Sequence, residues 1–139
     1  MSWDVHIFSP LADVRAADER TKESDFPPLG SASEVRRQLL ETVPRLDLSD
    51  PTWGDLESPT WSIEVGLGSD DPVRSIMLVV RGTGDDVVAV IAKIANAVGG
   101  RVFDPVTGDY LTGGPADLTG WHAFQAFRDR AFGHGPTGP

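Results

Sequence analysis

The chain contains no cysteine, so disulfides, thiol catalysis and Cys-ligated zinc are excluded. Histidine is scarce. His6, His122 and His134 are the three present, and none stands at an HxH, HxxH or HExxH spacing, so a histidine-based zinc site is not expected. Positive charge is also scarce: 12 Lys and Arg face 21 Asp and Glu, for a net charge of −9. A nucleic acid or an anionic membrane needs a basic footprint, so neither is expected as a partner. No GxSxG elbow or SxxK pair announces a serine nucleophile. No apolar run approaches the roughly 18 residues of a spanning helix. "MSWDVHIFSP" lacks a basic n-region and does not read as a signal peptide, so a cytoplasmic location is expected.

What is present fits one domain. The 139 residues are 40% hydrophobic, enough for a real core. "WDVHIF" alternates Trp3, Val5 and Ile7 against Asp4, His6 and Phe8, the period of a strand. Residues 9–30 are polar and charged without a period, and we expect a long mobile surface loop. In "SASEVRRQLLETVP", Ser31 and Glu34 have capping-box spacing, Val35, Leu39 and Val43 form an apolar stripe, and Pro44 stops the helix. The stretch from Leu46 to Pro59 is turn-rich, so Trp53–Glu57 reads as a short or edge strand at best.

"WSIEVGL" alternates strictly, "SIMLVVR" is apolar on both faces as in a doubly covered strand, and residues 61–67 and 75–81 form a hairpin. In "GDDVVAVIAKIANAVGG", Val87, Ile91, Ile94 and Val98 share a helical face, Asp85 suits the N-cap, and Gly99-Gly100 suits the exit. "DLTGWHAFQAFRDRAF" predicts a third helix capped by Thr119 or Asp117. Its Phe124, Phe127 and Ala131 fall on one stripe flanked by Trp121 and Phe132, which would cover the second face of the sheet. Residues 133–139 read as a disordered tail. The element order predicts an α+β fold within residues 1–132. The expected form is a ferredoxin-like split β-α-β arrangement, with an antiparallel or mixed sheet, two helices on one face and an extra C-terminal helix.

"RVFDPVTGDYLT" suggests a ligand loop at first reading. Pro105 and Gly108 suit a turn, Asp104 can close an Asx-turn, and apolar residues flank both sides. It lacks the glycines and following helix of a phosphate cradle, and the oxygen spacing of a calcium loop, so a turn is expected. The pairs Asp70-Asp71 and Asp85-Asp86 read as turn and cap residues, with a shared Mg²⁺ or Ca²⁺ site as the alternative.

One pattern exceeds what turns and caps require. Asp47, Asp50, Asp55, Glu57, Glu64, Asp70, Asp71, Asp85 and Asp86 face only Arg74 and Arg81, so this span holds −7 of the net −9. Trp53 and Trp61 lie among these charges. Charge steers encounter and aromatics anchor interfaces, so Trp53, Asp55, Glu57, Trp61, Glu64, Asp70 and Asp71 are the candidate partner-binding residues, for a basic protein. The plainer reading is a solvated face with two core tryptophans.

The string "WDVHIF … DPTWG … WSIEVGLG … SIMLVVRG … VFDPVTGDYL" resembles a group of small, uncharacterised bacterial α+β proteins. Some similar acidic α+β proteins are immunity proteins, which neutralise a toxin. The resemblance runs from Trp3 to Leu111 and implies no catalytic residue. The expected function is therefore non-enzymatic capture of a basic protein, of immunity or inhibitor type. We expect no cofactor and no metal, and a monomer rather than a homodimer. The alternatives are a small-molecule or metal-binding domain using the clustered carboxylates, and an enzyme with a dispersed site.

Overall fold

The computed structural model of the chain describes residues 2–12, 26–111 and 117–131. In chain order the elements are β1 (Trp3–Phe8), α1 (Ala32–Thr42), β2 (Asp47–Asp50), β3 (Trp53–Glu57), β4 (Trp61–Gly66), β5 (Ser75–Gly82), α2 (Asp86–Ala97), β6 (Arg101–Asp104), β7 (Asp109–Tyr110) and α3 (Asp117–Ala131). The strands form one sheet in the order β2-β3-β4-β5-β1-β6-β7. Every neighbouring pair is antiparallel. The architecture is α+β, with three helices and seven strands among the described residues. Seven strands exceed the four of a split β-α-β sheet.

Strand alternation sorts the side chains onto two faces. The inner face carries Trp3, Val5 and Ile7 of β1, paired with Val80, Leu78 and Ile76 of β5. It continues through Ile63 and Val65 of β4 to Leu56 of β3, and through Val102 to Asp104 of β6. These residues share one core with Val35 and Leu39 of α1, Val87, Ile91 and Ile94 of α2, and Trp121 and Phe124 of α3. The two apolar helical stripes thus pack on one sheet face, as their spacing predicts.

Helix α1 begins as its sequence predicts: the Ser31 hydroxyl accepts from the Glu34 backbone N–H at 3.2 Å. A further free N–H of that first turn, on Ala32, donates to Asp71 Oδ1 at 3.0 Å. Helix α2 departs from expectation, since the Asp85 side chain makes no cap hydrogen bond.

Three expectations need correction. First, Trp53–Glu57 is not an edge strand, because β2 pairs outside it. That pairing works because position 54 is glycine: a Cβ there would lie 2.6 Å from Leu48 Cδ2, so Leu46 and Leu48 fold over bare backbone. Second, α3 does not cover the second face of the sheet. Trp121 stacks on Trp3 at 5.3 Å between ring centroids, on the inner face and next to α2. Its inward stripe is Trp121, Phe124 and Arg128, while Phe127 is 55% exposed. At about 100° per residue, Arg128 falls between Trp121 and Phe124 on the helix circumference, and Phe127 falls outside them. Third, β5 is not covered on both faces, since Met77 is 38% exposed.

The loop between β5 and α2 forms the seat of α3. Trp121 Nε1 donates to the Gly84 carbonyl at 3.1 Å, Arg128 donates to the Gly82 carbonyl at 2.7 Å, and His122 Nε2 lies 2.7 Å from Asp85 Oδ1. Of the connection 9–30, residues 13–25 lie outside the described residues, as does the tail 133–139. Its described end at residues 26–30 is tied down. Leu29 and Gly30 exchange backbone hydrogen bonds with Val73, and Phe26 packs edge-on against Phe8 at 5.1 Å.

Candidate functional site: the outer face of the sheet

All three helices lie against the inner face, so the outer face carries no helix among the described residues. The strand register lays its side chains out in rows. Trp53 stands opposite Gly66, Gly66 opposite Met77, Met77 opposite His6, His6 opposite Phe103, and Phe103 opposite Tyr110. This row of aromatic and thioether groups spans from β3 to β7. Two residues along each strand runs a second row: Asp47, Asp55, Glu64, Val79 and Asp4. A third comprises Glu57, Ser62 and Arg81.

The second row places like charges side by side. Asp55 lies directly opposite both Asp47 and Glu64, an arrangement that costs a few tenths to 1 kcal/mol per pair, roughly, in an antiparallel sheet. Glu64 is relieved by Arg81, whose Nη1 approaches Oε2 to 3.0 Å. Asp47 accepts from the Ser49 backbone N–H at 2.9 Å and from its hydroxyl at 2.7 Å. Asp50 does the same with Thr52, at 2.8 Å for each bond. In both aspartates the backbone hydrogen bond, followed by the hydroxyl, stabilises the charged form and lowers the pKa below the ordinary 3.8. These turns hold the carboxylates ionised at the rim of the face.

A second guanidinium of the face is also engaged. The Arg101 guanidinium lies 3.8 Å over the Tyr110 ring. At the opposite end of the aromatic row, Trp53 is half-buried. An open cleft of about 470 Å³ adjoins it, lined by Trp53, Gly66 and Met77 together with Thr52, Ser69 and Ser75.

The structure divides the seven candidate residues. Trp53, Asp55, Glu57 and Glu64 come together on the outer face. Trp61 does not join them. It is buried on the inner face, and its indole Nε1 donates to Asp86 Oδ2 at 3.0 Å, so it is a core residue. Asp70 and Asp71 lie in the connection between β4 and β5, where Asp71 caps α1. Spacing alone could not separate Trp53 from Trp61. The separation follows from the register, which pairs Trp61 with Gly82 and Trp53 with Gly66. The sequence reading missed Asp4, His6, Met77, Phe103 and Tyr110 as companions of the acidic span. The alternation of β1 and β5 marked some of them as outward-facing, but only the sheet order joins them to Trp53.

The "RVFDPVTGDYLT" stretch is a turn, as its residues predict. Asp104 Oδ1 accepts from Val106 N–H at 2.9 Å, its carbonyl accepts from Gly108 N–H at 2.8 Å, and Gly108 has φ 73°. The Asp104 carboxylate has a second role, accepting from the Trp3 indole at 3.2 Å in full burial. Among the described residues no three His, Asp or Glu side chains are grouped so as to hold a metal ion. No described helix is long and apolar enough to cross a membrane. No protein-family model matches the chain, and neither a curated protein nor a solved structure matches it.

Proposed function

We propose that the protein is a non-enzymatic binding protein of immunity or inhibitor type, which captures a basic protein on the outer face of its sheet. The observation that carries this reading is the pair of adjacent rows on that face. One is aromatic from Trp53 to Tyr110; the other is acidic, from Asp47 through Asp55 and Glu64 to Asp4. Complementary charge steers a basic partner and sets its register, and half-buried aromatics supply contact area. Stability alone would not place Asp55 between two other carboxylates, since that costs free energy in the isolated protein. A partner's cations would recover that cost. The lack of positive charge disfavours a nucleic acid on the same surface.

The same reading includes the architecture. β1, α1, β4, β5, α2 and β6 form a ferredoxin-like split β-α-β core, with β4, β5, β1 and β6 adjacent in that order. The β2–β3 hairpin and β7 extend its two edges. The expected cytoplasmic location and monomeric state belong to this proposal.

Affinity capture with charge-reversed baits tests the reading. Asp55→Lys/Glu64→Lys should lose a basic partner that wild type retains. Glu41→Lys, on the exposed side of α1, should keep it. Loss from the α1 variant with retention by the sheet variant would place binding elsewhere.

A further inference from the structure

We propose that the cleft between Trp53 and Met77 receives an arginine side chain of the captured partner. This rests on the reading of the outer face as the docking surface, and it names the group that anchors there. The cleft is a consequence of Gly66. That residue stands between Trp53 and Met77 in the register and contributes no side chain, so its neighbours become walls around bare backbone. The Trp53 ring reaches across it, with Cζ3 4.0 Å from where a Gly66 Cβ would lie. Covering a strand glycine with a cross-strand aromatic is a structural role in itself, and it accounts for the inner side of the ring. It leaves the outer side of a half-buried indole open, next to about 470 Å³ of space.

Three features select arginine. The indole and the thioether suit a methylene stem, and Thr52, Ser69 and Ser75 border the cleft with hydroxyls. Asp55 and Glu64 lie one row away on the same face, within reach of a guanidinium that can take two carboxylate oxygens at once. The face also makes this contact internally, with the Arg101 guanidinium stacked 3.8 Å over Tyr110 at the far end of the same aromatic row. Among the described residues no cation occupies the corresponding position on Trp53, and Arg81 is committed to Glu64. Lysine fits less well. Its ammonium is more strongly hydrated and cannot stack in a plane on the indole.

The test compares nona-arginine with nona-lysine peptides on the full chain at low salt. Calorimetry supplies affinities, and NMR follows the Trp53 indole N–H. Wild type should bind nona-arginine about tenfold tighter than nona-lysine, with the Trp53 signal shifting on titration. Trp53→Thr, which puts a strand-favouring β-branched residue in place of the indole, should bring the two peptides within about twofold, and Trp53→Phe should retain part of the difference. Equal binding of both peptides by wild type would overturn the proposal, as would a preference that survives Trp53→Thr. If equal binding is abolished by Asp55→Lys/Glu64→Lys, the docking face stands and the arginine anchor falls. If neither peptide binds, both fall.

Discussion

Replacing Trp121 with alanine tests whether α3 is an integral part of the inner layer. The ring is fully buried, stacks on Trp3 at 5.3 Å and on Phe124 at 5.8 Å, and donates to the Gly84 carbonyl at 3.1 Å. Removing a buried tryptophan costs about 3–5 kcal/mol, through lost transfer energy and the cavity left behind. Trp121→Phe keeps a stacking ring but leaves a smaller cavity and takes the donor from the Gly84 carbonyl, a change worth about 1–3 kcal/mol. A domain of this size is stable by roughly 5–15 kcal/mol, so the alanine variant should lose a large fraction of its stability. Urea unfolding followed by far-UV circular dichroism measures both variants. The expected result is a large fall in midpoint for alanine, a smaller fall for phenylalanine, and an unchanged slope for phenylalanine. An alanine cost below about 1 kcal/mol would refute the reasoning, since no well-packed core tryptophan is that cheap to remove. In that event α3 would not be held by the Trp3–Trp121 stack.

Two further outcomes follow from hydrogen bonds. Asp104→Ala strands the fully buried Trp3 indole N–H and should cost about 1–3 kcal/mol in the same urea assay. Asp104→Asn keeps one acceptor oxygen and should cost less. Equal costs would show that one acceptor oxygen, serving either Val106 or Trp3 but not both, is not enough. Asp47 and Asp50 should titrate below 3.8 in carboxyl NMR, because their backbone and hydroxyl partners favour the ionised form. Lowered folded-state values mean that their contribution to stability is present above the unfolded-state pKa and lost as pH falls through the folded-state one. Ser49→Ala should move Asp47 partway back, since the backbone N–H of residue 49 remains. No movement would remove the hydroxyl from the account.

The parts of the fold visible in the sequence are those with a strong local period. Val35, Leu39 and Val43, and Val87, Ile91, Ile94 and Val98, mark α1 and α2 and their buried sides. Ser31, Asp104 and Gly108 carry their local chemistry in their own type and spacing. Strand β2 was not legible. "DLSD" has one apolar residue, and its aspartates bond their own neighbours in the manner of turns. It becomes a strand because Leu46 and Leu48 can settle over Gly54, a tertiary fact. Asp85 has the residue type and position of a cap, but its carboxylate lies against His122 of α3, 37 residues along the chain. The candidate site was half legible for the same reason. Charge and aromatic content singled out Trp53, Asp55 and Glu64, but the rows that join Trp53 to His6 and Tyr110, and Asp55 and Glu64 to Asp4, exist only once β1 takes its place between β5 and β6.

The central claim, that the outer sheet face is the docking surface, is tested most directly by NMR mapping of the complex with the basic protein recovered by capture. The measured signals are the Met77 methyl, the Trp53 indole N–H and the carboxyl carbons of Asp4, Asp55 and Glu64, with the Leu40 methyls and Ala123 of the helical layer as references. The account predicts that the outer-face signals shift or broaden on binding and that the helical references stay in place. Shifts confined to α1, α2 or α3, with Trp53 and Met77 unmoved, would contradict it.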